Sequence, residues 1–220
     1  MPDPMIIEPP AEANASIIWL HGLGASADDF AGLANELQLG AAHGLRLILP
    51  NAPTRPVTVN NGIAIPAWYD IGGMDSSATE DAKGLEASRK TIDSLVANER
   101  ALGIASKRIM IGGFSQGGAL ALHVGLRYAE PLAGIVALSA YLPLHDRLQH
   151  EATPANRLTP IFMAHGNADP VVAPELGAGS RDYLIGHGYD VTWHTYAMEH
   201  EVVAAELTAI HDWMAAIGLI

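Results

Sequence analysis

The stretch Gly113-Phe114-Ser115-Gln116-Gly117 narrows most sharply what this chain can fold into. An apolar run, Ile109 to Gly112, leads straight into it, and a helical pattern begins near Gln116. The serine is therefore predicted on a sharp turn from strand to helix. Such a turn lifts the hydroxyl above the edge of a sheet, and the glycines two before and two after it leave room for neighbouring backbone. The backbone N–H of Gln116, at the helix start, then faces the place where a carbonyl would react. Gly117, Gly118 and Ala119 thin the first turn so that the helix can pack close to its strand. A GxSxG pattern also arises by chance at Gly-rich joints, so a base, an acid and a second oxyanion donor must come from elsewhere in the chain.

The remaining chain alternates strands with helices. Met5 to Glu8 reads as a weak strand that can pair antiparallel with the stronger Ile17 to Leu20. His21-Gly22-Leu23-Gly24 follows, and Ser26 or Asp28 can cap a helix carrying Phe30, Leu33 and Leu37 at helical spacing. After a strand at Leu45 to Leu49, regularity breaks. An Asn60-Asn61-Gly62 turn joins Val57-Val59 to Ile63-Ile65 in a hairpin excursion, followed by Pro66-Ala67-Trp68-Tyr69-Asp70. Ser77 and Glu80 form a capping box for a helix striped by Leu85, Ile92, Leu95 and Val96 up to about Asn98. The helix after the elbow is predicted over Gln116 to Tyr128, with strands at Gly134 to Leu138, Ile161 to Ala164 and Val191 to Tyr196. Further helices are predicted from Pro174 to Ile185 and around Val203, Leu207, Ile210 and Met214. This order argues for an α/β fold, a mostly parallel central sheet with helices on both faces, in one domain spanning residues 1–220.

In chain order Ser115, Asp169 and His200 each follow a different strand at the same edge of that sheet. The chemistry needs this division of labour. A serine attacks a carbonyl, a histidine takes its proton and later returns it, and an aspartate fixes the imidazole tautomer. The turn after His21 aims a second backbone donor, the N–H of Leu23, to join that of Gln116 in an oxyanion hole. Asp70 precedes the serine and Asp190 begins a strand at the wrong edge, so both are weaker candidates for the acid. His21 and His165 sit before glycines at strand ends, where bracing a loop is the expected role. Ile63, Ile65 and Trp68 on the first excursion, and Tyr141 and Leu142 after the Gly134 strand, are candidates for a substrate wall; each is equally readable as core.

One motif competes. Gly22-Leu-Gly24-Ala-Ser-Ala27 fits the GxGxxA form of a dinucleotide fingerprint, but Leu45 to Leu49 ends in Pro50-Asn51 without the acidic residue that would hold a ribose. No HExxH is present, and no two histidines stand four apart on one helix, so neither a metal nor another cofactor is expected. A formal charge of -12 leaves no basic stripe for nucleic acid or an anionic membrane surface. The absence of cysteine removes disulfides and thiolate sites. Residues 1–10 lack a signal-peptide pattern and no apolar window is long enough to span a bilayer, so a cytoplasmic protein without stable membrane insertion is expected.

His21-Gly22-Leu23-Gly24, Pro66-Ala-Trp-Tyr-Asp-Ile71, Gly113 to Gly118, Leu138 to Pro143, His165 to Val172 and Met198-Glu-His200, taken in order, resemble the small carboxylesterase and acyl-protein thioesterase (phospholipase/carboxylesterase) family. The resemblance runs from Ile17 to the final helix. It implies an α/β-hydrolase without a large lid domain, the Ser115, Asp169 and His200 triad, oxyanion donors at Leu23 and Gln116, and a homodimer in some members. The expected activity is hydrolysis of carboxylic esters of short to medium acyl length through an acyl-enzyme, with a small ester or thioester as substrate. Phe162 to Gly166 and Trp68-Tyr69 lean toward the bacterial carboxylesterase branch. The alternative is an acyl-protein thioesterase or lysophospholipase acting on long chains, and a more distant one is a non-catalytic acyl-binding protein. Glu199 departs from the pattern, where a small or uncharged residue is expected beside His200, and a carboxylate aimed at the ring would raise its pKa.

Overall fold

A computed structural model of the chain describes residues 3–39, 43–73 and 80–220. Nine strands are described: β1 Met5–Ile7, β2 Ala15–Leu20, β3 Leu45–Leu49, β4 Thr54–Pro56, β5 Ala64–Pro66, β6 Ile109–Phe114, β7 Gly134–Leu138, β8 Ile161–Gly166 and β9 Val191–Tyr196. The α-helices are α1 Leu33–Glu36, α2 Ala82–Ala101, α3 Gln116–Gly125, α4 Leu148–Glu151, α5 Pro174–Gly186 and α6 Ala204–Ala216. Seven strands form one sheet in the order β1-β3-β2-β6-β7-β8-β9, parallel throughout except for β1, while β4 and β5 make a separate hairpin.

Successive residues of the inner strands feed opposite cores, so these strands are continuously apolar. Ile18, Leu20, Ile111, Ile135, Ala137 and Met163 join the core under α2, α3 and α5. Ile17, Trp19, Met110, Val136, Leu138 and Phe162 join the one under α1 and α6. Helix α3 is buried along its whole length and packs on β6, β7 and α2, which explains its near-absence of charge. This is the mostly parallel, helix-covered sheet that the alternation predicts, and no large extra domain is attached to it among the described residues.

Local readings differ in four places. β1 pairs with β3 (Met5 opposite Leu49), because both edges of β2 are taken by β3 and β6. The Phe30 to Leu37 helix is broken into a 3-10 turn, Ala27–Phe30, and the single turn of α1. The hairpin forms, but its strands lie outside Val57 to Ile63, and Thr58–Asn60 is a 3-10 turn closed by Asn61 and Gly62 at positive φ. Ser77 of the expected capping box lies outside the described residues; the side chain that caps α2 is Asp81, which accepts from Gly84 N at 2.9 Å.

Chain order reverses between β2 and β6, its neighbour on the side away from β3. A crevice at the carboxyl ends of parallel strands forms at such a switch point. The loops that leave β2, β6, β8 and β9 at that edge carry Leu23, Ser115, Asp169 and His200 respectively.

Candidate active site

Ser115 occupies the turn between β6 and α3 with φ 55° and ψ −121°, a conformation that L-residues avoid and that tertiary structure must enforce. Its N–H donates to Leu138 O at 2.8 Å, which ties the turn to β7. The glycines are required by contact. A Cβ on Gly113 would lie 2.6 Å from Leu20 O, and one on Gly117 would overlap the Leu20 carbonyl. Backbone from β2 therefore presses directly against the elbow.

Ser115 is partly exposed, and its hydroxyl is 2.9 Å from His200 Nε2. The other ring nitrogen, Nδ1, is 2.7 Å from Asp169 Oδ2. Asp169 Oδ1 accepts the N–H groups of Val171 and Val172 at 2.8 and 2.9 Å, and His165 Nε2 stands 3.3 Å from Oδ2. Burial alone would raise the Asp169 pKa, but the His200 and backbone hydrogen bonds outweigh it and hold the carboxyl below its ordinary range. An ionised Asp169 makes Nδ1 the donor, so Nε2 presents a lone pair to the serine hydroxyl. Phe114 packs on the His200 ring at 4.7 Å between centroids. Glu199 is exposed and makes neither hydrogen bond nor ion pair with His200 among the described residues.

The loop after β2 lies against Ser115: a Cβ on Gly22 would be 3.4 Å from Ser115 Cβ. Gly24, at φ 76°, donates to Pro66 O at 2.9 Å and so joins this loop to the β4–β5 hairpin. No hydrogen bond from the backbone N–H of Leu23 or Gln116 occurs among the described residues, which leaves both donors available at the elbow.

Trp68, readable from the sequence as either substrate wall or core, is fully buried. Its indole N–H donates to His21 O at 2.9 Å, its ring packs on His21 at 5.1 Å, and its backbone N–H donates to Gln116 Oε1 at 2.9 Å. The Gln116 amide also donates to Tyr69 O at 2.8 Å. His21 Nε2 accepts from Ala52 N at 3.0 Å while Nδ1 donates to Gly22 O at 2.8 Å. Burial lowers the His21 pKa despite the Gly22 carbonyl, which suits this neutral bracing tautomer. Leu142 is likewise a core residue, 3% exposed, with its N–H on Ser180 Oγ. Tyr141 is half-buried and Ile65 flanks Gly24, whereas Ile63 is 58% exposed on the hairpin. Of the rival acids, Asp70 accepts from Thr58 in the hairpin, and Asp190 precedes β9 at the opposite sheet edge from His200.

An unforeseen concavity of about 240 Å³ opens beside His200, with Phe30, Leu33, Phe114 and Val202 on its walls and Asp29, Glu36 and Glu201 among its polar residues. Phe30 and Leu33 had only a helical-stripe signal in the sequence, and Val202 had none. Among the described residues no cluster of His, Asp and Glu has the makings of a metal site, and no helix is long and apolar enough to cross a membrane.

Comparison with known proteins places the whole chain among acyl hydrolases. A family model described as phospholipase/carboxylesterase matches residues 1–217. Acyl-protein thioesterase 1 of Neurospora crassa is 41% identical over 96% of this chain and 90% of its own length. Acyl-protein thioesterase 1 of Yarrowia lipolytica is 37% identical over 97% of each. The crystal structure of Zea mays acyl-protein thioesterase 2 superposes with a TM-score of 0.88 at 30% identity, covering 97% of this chain and 98% of that one.

Proposed function

The chain belongs to the phospholipase/carboxylesterase family of α/β-hydrolases and is a serine hydrolase of acyl esters, and we propose that it cleaves long-chain acyl thioesters with Ser115 as nucleophile. The observation that carries this is the linear relay from Ser115 Oγ to His200 Nε2 and from His200 Nδ1 to Asp169, at 2.9 and 2.7 Å. Ser115 Oγ adds to the carbonyl as its proton passes to Nε2. The resulting oxyanion is held by the N–H groups of Leu23 and Gln116, and imidazolium beside Asp169 is stabilised by the carboxylate. Collapse returns the proton to the leaving thiol or alcohol and leaves an acyl-serine, which water then hydrolyses by the same route.

The thioesterase reading replaces the short-chain carboxylesterase reading and its bacterial lean. Relatives named acyl-protein thioesterases match almost the whole chain at 37 to 41% identity, which supports a thioester substrate. The apolar walls beside His200 supply a surface for a long acyl chain. Burial of one methylene contributes about 0.8 kcal/mol. We therefore expect kcat/KM on S-acyl cysteine peptides to rise about fourfold per added methylene until the groove is filled. Wild type and Ser115→Ala, assayed with S-acetyl to S-palmitoyl peptides, test this. A maximum at acetyl would refute the long-chain assignment.

A further inference from the structure

A concavity of about 580 Å³ lies away from the Ser115 edge, between α2, the end of α3 and the segment 144–151. Lys83, Arg89, Arg127 and Arg147 line it, in a chain whose formal charge is -12. Two of these cations are committed: Arg89 holds Glu86 through two bonds of 2.7 and 2.8 Å, and Arg127 holds Glu151 at 2.8 Å. Lys83 and Arg147 are exposed and have no ion pair among the described residues. The two carboxylates on the lining are thus already matched, and two cations are in excess.

His123 supplies the second observation. It lines the same cavity, is only 3% exposed, and neither ring nitrogen has a protein partner among the described residues; Nδ1 is fully enclosed. Burial, then the Arg127 and Arg89 charges, push its pKa down to about 3. The ring is neutral and carries one N–H, and with Nδ1 enclosed, Nε2 is the nitrogen through which it can meet a ligand in the cavity.

We propose that this cavity binds a soluble phosphomonoester, with its phosphate oxygens on Lys83 and Arg147 and the His123 ring donating from the floor. Charge-assisted contacts of this kind suit phosphate, and the volume suits a small metabolite. A lipid headgroup is the poorer source, because the site is concave and polar and the strongly acidic protein is repelled by an anionic bilayer.

The test is calorimetric titration with inorganic phosphate and with glycerol 3-phosphate, at ionic strength held constant with chloride, on wild type, Arg147→Glu and His123→Leu. The expected result is saturable binding to wild type, weakened about tenfold or more in both variants. Arg147→Glu should keep the wild-type Tm in chloride, since the residue is exposed and unpaired. No saturable heat with either probe, or equal affinity in wild type and variants, would overturn the proposal. So would binding confined to vesicles of phosphatidylcholine with phosphatidic acid.

Discussion

Ser115 joins backbone strain to the proposed chemistry in one residue. Its φ of 55° with ψ −121° is unfavourable for any side chain that has a Cβ, so replacing serine by alanine removes the hydroxyl and leaves the strain. Glycine removes both. Ser115→Ala should abolish turnover with stability close to wild type, whereas Ser115→Gly should be equally inactive and more stable by about 1 kcal/mol. Urea denaturation of the two variants checks this, and equal stabilities would show that the turn is unstrained. The residues of this relay were legible because each stands in a short motif at a strand end. Trp68 stays open between pocket wall and core in the sequence, since nothing local reveals that its indole finds an acceptor in His21, 47 positions away. The side-chain role of Gln116, bracing Trp68 and Tyr69, was hidden for the same reason.

The elements were readable where they are long and central. The apolar runs of β6, β7 and β8 and the stripe of α2 follow from burial on one or both faces, so their types were correct from the sequence pattern alone. Short peripheral pieces were not. The partner of β1 depends on which edge of the sheet is left open, and the break between Phe30 and Leu33 depends on Gly32 at the start of α1, details that a helical stripe does not encode. The elbow is an element-scale device, because α3 can lie against β2 only if the position two after the serine has no side chain. Gly117→Ala should therefore force α3 away from the Leu20 and His21 carbonyls, costing about 1–3 kcal/mol as overpacking does and most of the activity. Activity and Tm measured together check it; a variant with wild-type values for both would mean that the helix shifts freely.

At the scale of the molecule, α6 is seated on the sheet across a buried carboxyl. Glu206 is fully buried, neither of its oxygens has a partner in hydrogen-bond geometry among the described residues, and burial raises its pKa to about 8, the nearby Val203 backbone offsetting only part of that. The folded protein keeps this proton at neutral pH while the unfolded chain, titrating near 4.5, releases it. The stabilising balance present below the unfolded pKa is thus lost as pH rises toward the folded one, by about 1.4 kcal/mol per pH unit. Glu206→Gln should remove this contribution, so its stability relative to wild type should increase between pH 5.5 and 7.5. Denaturant titrations across that range would refute it if the two slopes coincide.

A mostly parallel sheet with loops from β2, β6, β8 and β9 meeting at one edge sets Ser115 against His200, and its role as the nucleophile is the central proposal. The direct test is covalent labelling with a long-chain fluorophosphonate, followed by peptide mass spectrometry of wild type and His200→Ala. The account predicts stoichiometric label on Ser115 in wild type and almost none in His200→Ala. Label on another serine, or undiminished labelling without His200, would contradict it.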